Sequence, residues 1–257
     1  MGAIPWRFKS SPAHFASLKI MKQTIKVSAS ILCADFTQLG KVIKKCEAAG
    51  VDMIHVDVID GHFVPNITIG NVIIEAIRPL TGLPIEAHLM IERPGRYIED
   101  FIRSGADIIS VHAECYGTRR ESCRGPDQYP KEVDTIDAAL AKRDIAKIKA
   151  KGKKVFMALH PGTPVCLGSL LKELDGVLVM SVNPGFAKQK FMSAVLPKIE
   201  KLRAGFKGHI AIDGGINDAT APSAVQAGAD ILATASYFFG SADPKATVRH
   251  LKALGRN

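Results

Sequence analysis

Short apolar runs rich in Val and Ile recur along the chain, separated by longer stretches whose apolar positions return with helical spacing. The runs predict strands over residues 25–30, 53–57, 85–89, 108–112, 155–159, 177–182, 210–213 and 231–235. The clearest helical spacing covers residues 36–49, 138–151 and 189–203. A weak repeat links the two patterns. AGVDMIHVD around Gly50, SGADIISVH around Gly105 and AGADILATAS around Gly228 each join a helical segment to an apolar strand. In each, the glycine ends the helix and the aspartate turns the chain into the strand.

Gly50 and Gly105 stand about 55 residues apart, two units of the length expected for a strand plus its helix in a closed barrel. Eight strands alternating with helices predict an α/β protein, a (β/α)8 TIM barrel with a closed parallel sheet, as a single domain over residues 23–257. No GxGxxG follows the first strand, which disfavours an open doubly wound sheet. Extra length falls at about residues 115–136, CYGTRRESCRGPDQYPKEVDTI, a polar insertion after the fourth strand. Its place predicts the C-terminal mouth of the barrel, as a lid, an oligomer contact or a surface loop without chemistry.

Composition narrows the function classes. No stretch approaches ~18 uninterrupted apolar residues, so no membrane span is expected. The formal charge of +9 is scattered and lacks an aromatic-basic stripe, which favours a small anionic substrate over nucleic acid. Five cysteines without metal-finger spacing read as thiols in a reducing, cytoplasmic compartment. Residues 1–22 contain no acidic side chain and four basic ones, the pattern of an organellar transit peptide, a misassigned start or an expression scar.

The candidate chemistry lies at strand ends. In residues 55–66, HVDVIDGHFVPN, His55 and Asp57 are two apart and so share one side of a strand. His88 in IEAHLM and Asp213 in HIAIDGG end two other strands. Each of the four alone has an ordinary structural explanation, as a core hydrogen-bonding group or a helix cap. Together, at the mouth of a barrel, two imidazoles and two carboxylates suit one divalent ion, Zn²⁺, Fe²⁺, Mn²⁺ or Co²⁺, and the residue types do not choose among them. Three glycine- or serine-bearing loops follow the last strands: VNPGFAKQ at 182–189 as a turn opening a helix, Gly214-Gly215, and Ala235-Ser236. Backbone N–H groups there suit a phosphate.

The segments SASILCADF, HVDVIDGHFVPN, EAHLMIERP, HPGTP, VMSVNPGF and AIDGGIN, in this order, resemble ribulose-phosphate 3-epimerase from about Thr24 onward. The resemblance implies a metal held by His55, Asp57, His88 and Asp213, with Asp57 and Asp213 as the acid and base. It further implies substrate contacts from Ser30, Met90, Met180, Gly185, Phe186, Ala187, Gly214, Gly215, Ala235 and Ser236. The implied activity is C3 epimerisation of D-ribulose 5-phosphate to D-xylulose 5-phosphate through an enediolate, in the pentose phosphate pathway. The chain departs from the family pattern at Ala187 and Lys188, where glycines are usual, at Ala235, at Ile59 in place of a methionine, at His160, and in the insertion.

Those departures keep a second substrate open, another phosphorylated ketose such as a hexulose 6-phosphate. A Schiff-base aldolase needs a lysine at an inner strand end, and none stands there. A decarboxylase of related fold would carry an Asp-x-Lys-x-x-Asp-like strand, where this chain has His55-Val56-Asp57. A non-catalytic sugar-phosphate-binding barrel is the remaining alternative. By fold analogy the protein is expected to form a homo-oligomer.

Overall fold

The computed structural model describes residues 23–117 and 132–256. Eight strands run parallel: β1 (Lys26–Ser30), β2 (Met53–Ile59), β3 (Ile85–Met90), β4 (Ile108–His112), β5 (Lys154–Leu159), β6 (Gly176–Met180), β7 (His209–Asp213) and β8 (Ile231–Thr234). Each pairs with its sequence neighbour, and β8 pairs back onto β1 to close the barrel. The (β/α)8 expectation therefore holds. Around the sheet lie α1 (Leu39–Ala49), α2 (Asn71–Ile77), α3 (Ile98–Arg103), α4 (Ala138–Ala150), α5 (Leu196–Gly205), α6 (Ala221–Ala227), α7 (Ser236–Phe239) and α8 (Pro244–Ala253). Between β5 and β6 the connection is a 3₁₀ stretch, Gly168–Glu173.

The repeat seen in the sequence has a defined physical content. Gly50 and Gly228 cap α1 and α6 with φ of 80° and 115°, a left-handed turn that a side chain would strain. The aspartate that follows does more than turn the chain. Asp52 accepts from the Val27 N–H at 2.7 Å, Asp107 from Ile85 at 3.1 Å, and Asp230 from Ile210 at 2.7 Å. Each carboxylate thus pairs an N–H within the first two residues of the neighbouring strand. Asp175 does the same for Val155 at 2.9 Å, outside the recognised repeat.

Two layers of core result. Outward-facing strand residues such as Ile54, Val56, Val111 and Ile212 pack under the helices, while Met53, Ile108, Phe156, Leu178 and Ala211 fill the lower half of the barrel interior. Side chains alternate along each strand, so the inward residues next above this plug are His55, Asp57, His88 and Asp213.

Three expectations are corrected. The helix expected over 189–203 starts only at Leu196, after a 3₁₀ turn at Ser193–Val195. Pro197 is the cause, because a proline fits the first turn of a helix and breaks its interior. The loop at 182–189 therefore opens no helix, and no helix N-terminus faces an anion there. The strand expected over 177–182 ends at Met180, because Ser181 turns its N–H and hydroxyl onto the Asp213 carbonyl, at 2.8 and 2.9 Å. The insertion leaves β4 through the buried 3₁₀ turn Ala113–Tyr116 and returns at a bridge between Gly117 and Ile136. Its residues 118–131 and the N-terminal 1–22 lie outside the described residues.

Candidate metal centre and active-site cavity

β2 supplies His55 and Asp57 because both occupy its inward face, and the register of β2 with β3 places Asp57 opposite His88. β6 and β7 pair Met180 with Asp213, which brings Asp213 to the same height. One ligand atom from each of His55, Asp57, His88 and Asp213 lies within 4.8 Å of the others. His55 Nε2 and His88 Nδ1 are 3.2 Å apart, and Asp57 Oδ1 is 3.1 Å from the first and 3.0 Å from the second. Asp213 Oδ2 lies 3.9 Å from His55 Nε2. The histidines and Asp57 are buried, while Asp213 keeps partial access to the cavity.

Partners on the outer side of these groups hold them in place. His55 Nδ1 lies 2.9 Å from Glu86 Oε2, and Glu86 Oε1 accepts from the Ser110 hydroxyl at 2.5 Å. His88 Nε2 meets His112 Nε2 at 2.9 Å. Ser30 donates its hydroxyl to Asp57 Oδ2 at 2.7 Å, leaving Oδ1 for the centre.

The donor set fits a divalent ion. With their outer nitrogens engaged, His55 Nε2 and His88 Nδ1 both converge on Asp57 Oδ1, and a divalent ion among them would be ligated by both rings and compensate the carboxylate charge. Ligand atoms that sit roughly 2.1 Å from a tetrahedral Zn²⁺ are about 3.4 Å from one another, within the range of 3.0 to 3.9 Å found here.

The electrostatics separate the two carboxyls. Burial alone would raise Asp57, but the His55 and His88 imidazoles outweigh it and hold this carboxyl far below the usual range. Asp213 is pushed up to about 7 by burial and then by the Asp57 charge. Burial lowers His88 to about 4, with His112 adding to the effect, so its imidazole is neutral and able to ligate.

Above the centre opens a cavity of about 620 Å³. All ten substrate candidates from the sequence line it, from Ser30, Met90 and Met180 near the metal set to Gly185, Phe186, Ala187, Gly214, Gly215, Ala235 and Ser236 at the loops, together with Asp57 and Asp213. Gly215 has φ of 63°, and a Cβ there would stand 2.8 Å from the Phe191 nitrogen, so these loops touch backbone to backbone. The β6 loop is tied from two sides. Asn66 donates to the Gly185 carbonyl at 2.6 Å, and Gln189 donates to the Asn183 and Phe186 carbonyls at 2.6 and 2.9 Å. Lys188 adopts φ of 61° and contributes a positive charge to the rim.

Sequence reasoning passed over Glu86, Ser110, His112 and Glu114. A signal existed, since Glu86 and His88, like His112 and Glu114, stand two apart at a strand end. The model of the ribulose-phosphate 3 epimerase family matches residues 26–124 and 132–239. The chain belongs to this family.

Its relatives support the assignment over nearly the full length. The chain is 46% identical over 235 residues to the ribulose-phosphate 3-epimerase of Bacillus subtilis, covering 89% of this chain and 98% of that one. It is 41% identical over 244 residues to the chloroplastic ribulose-5-phosphate-3-epimerase of Arabidopsis thaliana, covering 93% and 80%. Among solved structures, 3-hexulose-6-phosphate synthase from Salmonella typhimurium aligns with a TM-score of 0.59 at 18% identity, over 90% of this chain and 98% of that chain. That likeness is one of fold. The barrel architecture is thus shared with other proteins.

Proposed function

We propose that this protein interconverts D-ribulose 5-phosphate and D-xylulose 5-phosphate by inversion at C3. The observation that carries the reading is the convergence of two carboxyls of opposite proton affinity, Asp57 and Asp213, on one metal-binding cluster beneath the cavity. Inversion next to a carbonyl requires a proton to leave one face and another to arrive on the opposite face. A divalent ion bound by His55, Asp57, His88 and Asp213 supplies Lewis-acid stabilisation of the negative charge that develops on the sugar oxygens.

The chain's own residues do the rest. One carboxyl takes the C3 proton while the other, protonated, delivers its own to the far face, and the roles exchange in the reverse direction. The histidines lower the proton affinity of Asp57 while burial and the Asp57 charge raise that of Asp213, an asymmetry of the kind an acid and base pair needs. Ser30, donating to Asp57 Oδ2, keeps that carboxylate aimed. The sulfur side chains of Met90 and Met180 wall the centre with apolar surface and exclude water. The loops around Gly185, Gly214–Gly215 and Ala235–Ser236 hold the phosphate, which fixes the distance from anchor to C3.

The experiment is a panel of ketose phosphates assayed for C3 epimerisation and for solvent deuterium uptake at C3. Turnover of D-ribulose 5-phosphate above any hexulose 6-phosphate supports the reading. Preference for the longer sugar moves the substrate and keeps the chemistry, and no exchange with any of them refutes it. A homo-oligomer in the cytoplasm belongs to the same reading, supported by fold analogy and by the sparse, unpatterned cysteines. Solution mass and the native N-terminus test these two points. Among the described residues, no helix is long and apolar enough to cross a membrane.

A further inference from the structure

We propose that His112 and Glu114 are positioning residues that act through His88, fixing the tautomer whose Nδ1 lone pair a divalent ion needs. This deepens the metal-assisted reading above and rests on it. His88 Nδ1 faces the centre, with Asp57 Oδ1 at 3.0 Å and His55 Nε2 at 3.2 Å. Its proton must therefore sit on Nε2. The nearest group to Nε2 is another ring nitrogen, His112 Nε2 at 2.9 Å. The ring planes differ by 22° with centroids 5.1 Å apart, so the rings meet nitrogen to nitrogen. Only one proton fits between two nitrogens in that contact.

If His88 donates, His112 Nε2 must accept, and the proton of His112 then sits on Nδ1. Glu114 Oε2 lies 2.9 Å from that Nδ1 and takes it. The second oxygen of Glu114, Oε1, accepts the His160 backbone N–H at 2.9 Å, which locks the carboxylate in place. Phe63 packs on the His112 ring with centroids 4.7 Å apart, and all three relay residues are buried.

The two metal-facing histidines are thus oriented by different means. His55 reaches its carboxylate, Glu86, directly, whereas His88 reaches Glu114 through an intervening ring. Without the Glu114 carboxylate, His112 is free to carry its proton on Nε2. That form sets N–H against N–H and drives the His88 proton onto Nδ1, where it occupies the lone pair the ion requires.

The test measures Zn²⁺ dissociation constants by chelator competition on the full chain and on His112→Phe, His112→Gln and Glu114→Gln, with circular dichroism to confirm the fold. Histidine ¹⁵N shifts of the metal-free proteins report tautomers. His112→Phe and Glu114→Gln are expected to bind about 10–100-fold more weakly. His112→Gln, whose amide oxygen can accept the Nε2 proton of His88, should recover most of the loss. The ¹⁵N signals of His88 should show one tautomer in the parent and a mixture in Glu114→Gln. Glu114→Gln preserves side-chain volume, so it carries the test should His112→Phe fail to fold. Parental affinity and a single His88 tautomer in Glu114→Gln overturn the relay and leave the functional reading standing. A parent that takes up no ion overturns both.

Discussion

Asp57 and Asp213 come from strands far apart in the chain, yet each places a carboxylate oxygen within 4.8 Å of the other and of the same two imidazole nitrogens. One is held strongly acidic by its histidines and the other is pushed up to about 7 by burial and by its partner's charge. In the function proposed above they are the acid and the base. Asp57→Asn and Asp213→Asn should each lower kcat by at least about 10²-fold, the usual contribution of one acid or base. Deuterium exchange at C3, followed by NMR, should fall with it. Wild-type exchange in either variant would remove that carboxyl from the chemistry.

Metal removal should act on stability as well as on activity. The four ligands converge only in the folded barrel, so an ion held there stabilises the native state by mass action. At a free ion concentration a hundredfold above Kd the gain is about 2.7 kcal/mol. Calorimetry on chelated and reloaded protein should show Tm rising by several degrees with Zn²⁺ and a dependence on its concentration. A Tm indifferent to the ion contradicts the site.

Glu114 gives an acid-stability prediction with a definite sign. Burial opposes its charge, but hydrogen bonds from His112, Thr163 and the His160 N–H lower it from 4.5 to about 2. Stability from this group is therefore fully present above pH 4.5 and is lost as pH falls toward 2. The amount is about 3 kcal/mol. Urea titrations between these pH values should show a steeper loss for the parent than for Glu114→Gln.

At the opposite end of the barrel, Asp230 accepts from the Ile210 N–H at 2.7 Å and lies 2.9 Å from His209 Nδ1. Asp230→Ala strands a buried strand donor and should destabilise the protein by about 1–3 kcal/mol. Activity per folded molecule should not change, because no group at the mouth is touched. Equal urea midpoints for parent and variant would contradict this account of the repeat.

Gly215→Ala meets both a φ of 63° and the Phe191 backbone nitrogen at 2.8 Å. It should push the β6 and β7 loops apart and raise KM for the phosphorylated substrate well above any change in kcat. A fall in kcat alone would place this loop in the chemistry instead of in phosphate binding.

How much of the site was legible depended on whether its signal was local. His55 and Asp57 announced a shared face by their spacing, and His88 and Asp213 by ending apolar runs. Glu86 and Glu114 were not distinguished, because a carboxylate beside a strand is usually a solvated residue. Their significance comes from the histidine each one meets, His55 on the neighbouring strand for Glu86 and His112 two residues back for Glu114, and from what that histidine faces in turn. The loop at 182–189 was misjudged for a similar reason, since apolar spacing continued through it while Pro197 moved the helix start to Leu196.

Strand number, the alternation with helices and the inward residues follow from periodicity and from short-range steric preferences, which act within a few residues and are written in the chain. The closure of β8 onto β1, the register that sets Asp57 beside His88, and the unequal proton affinities of Asp57 and Asp213 come from long-range packing. Those depend on distances between remote segments and on the water that folding removes, and neither quantity exists until the barrel has closed.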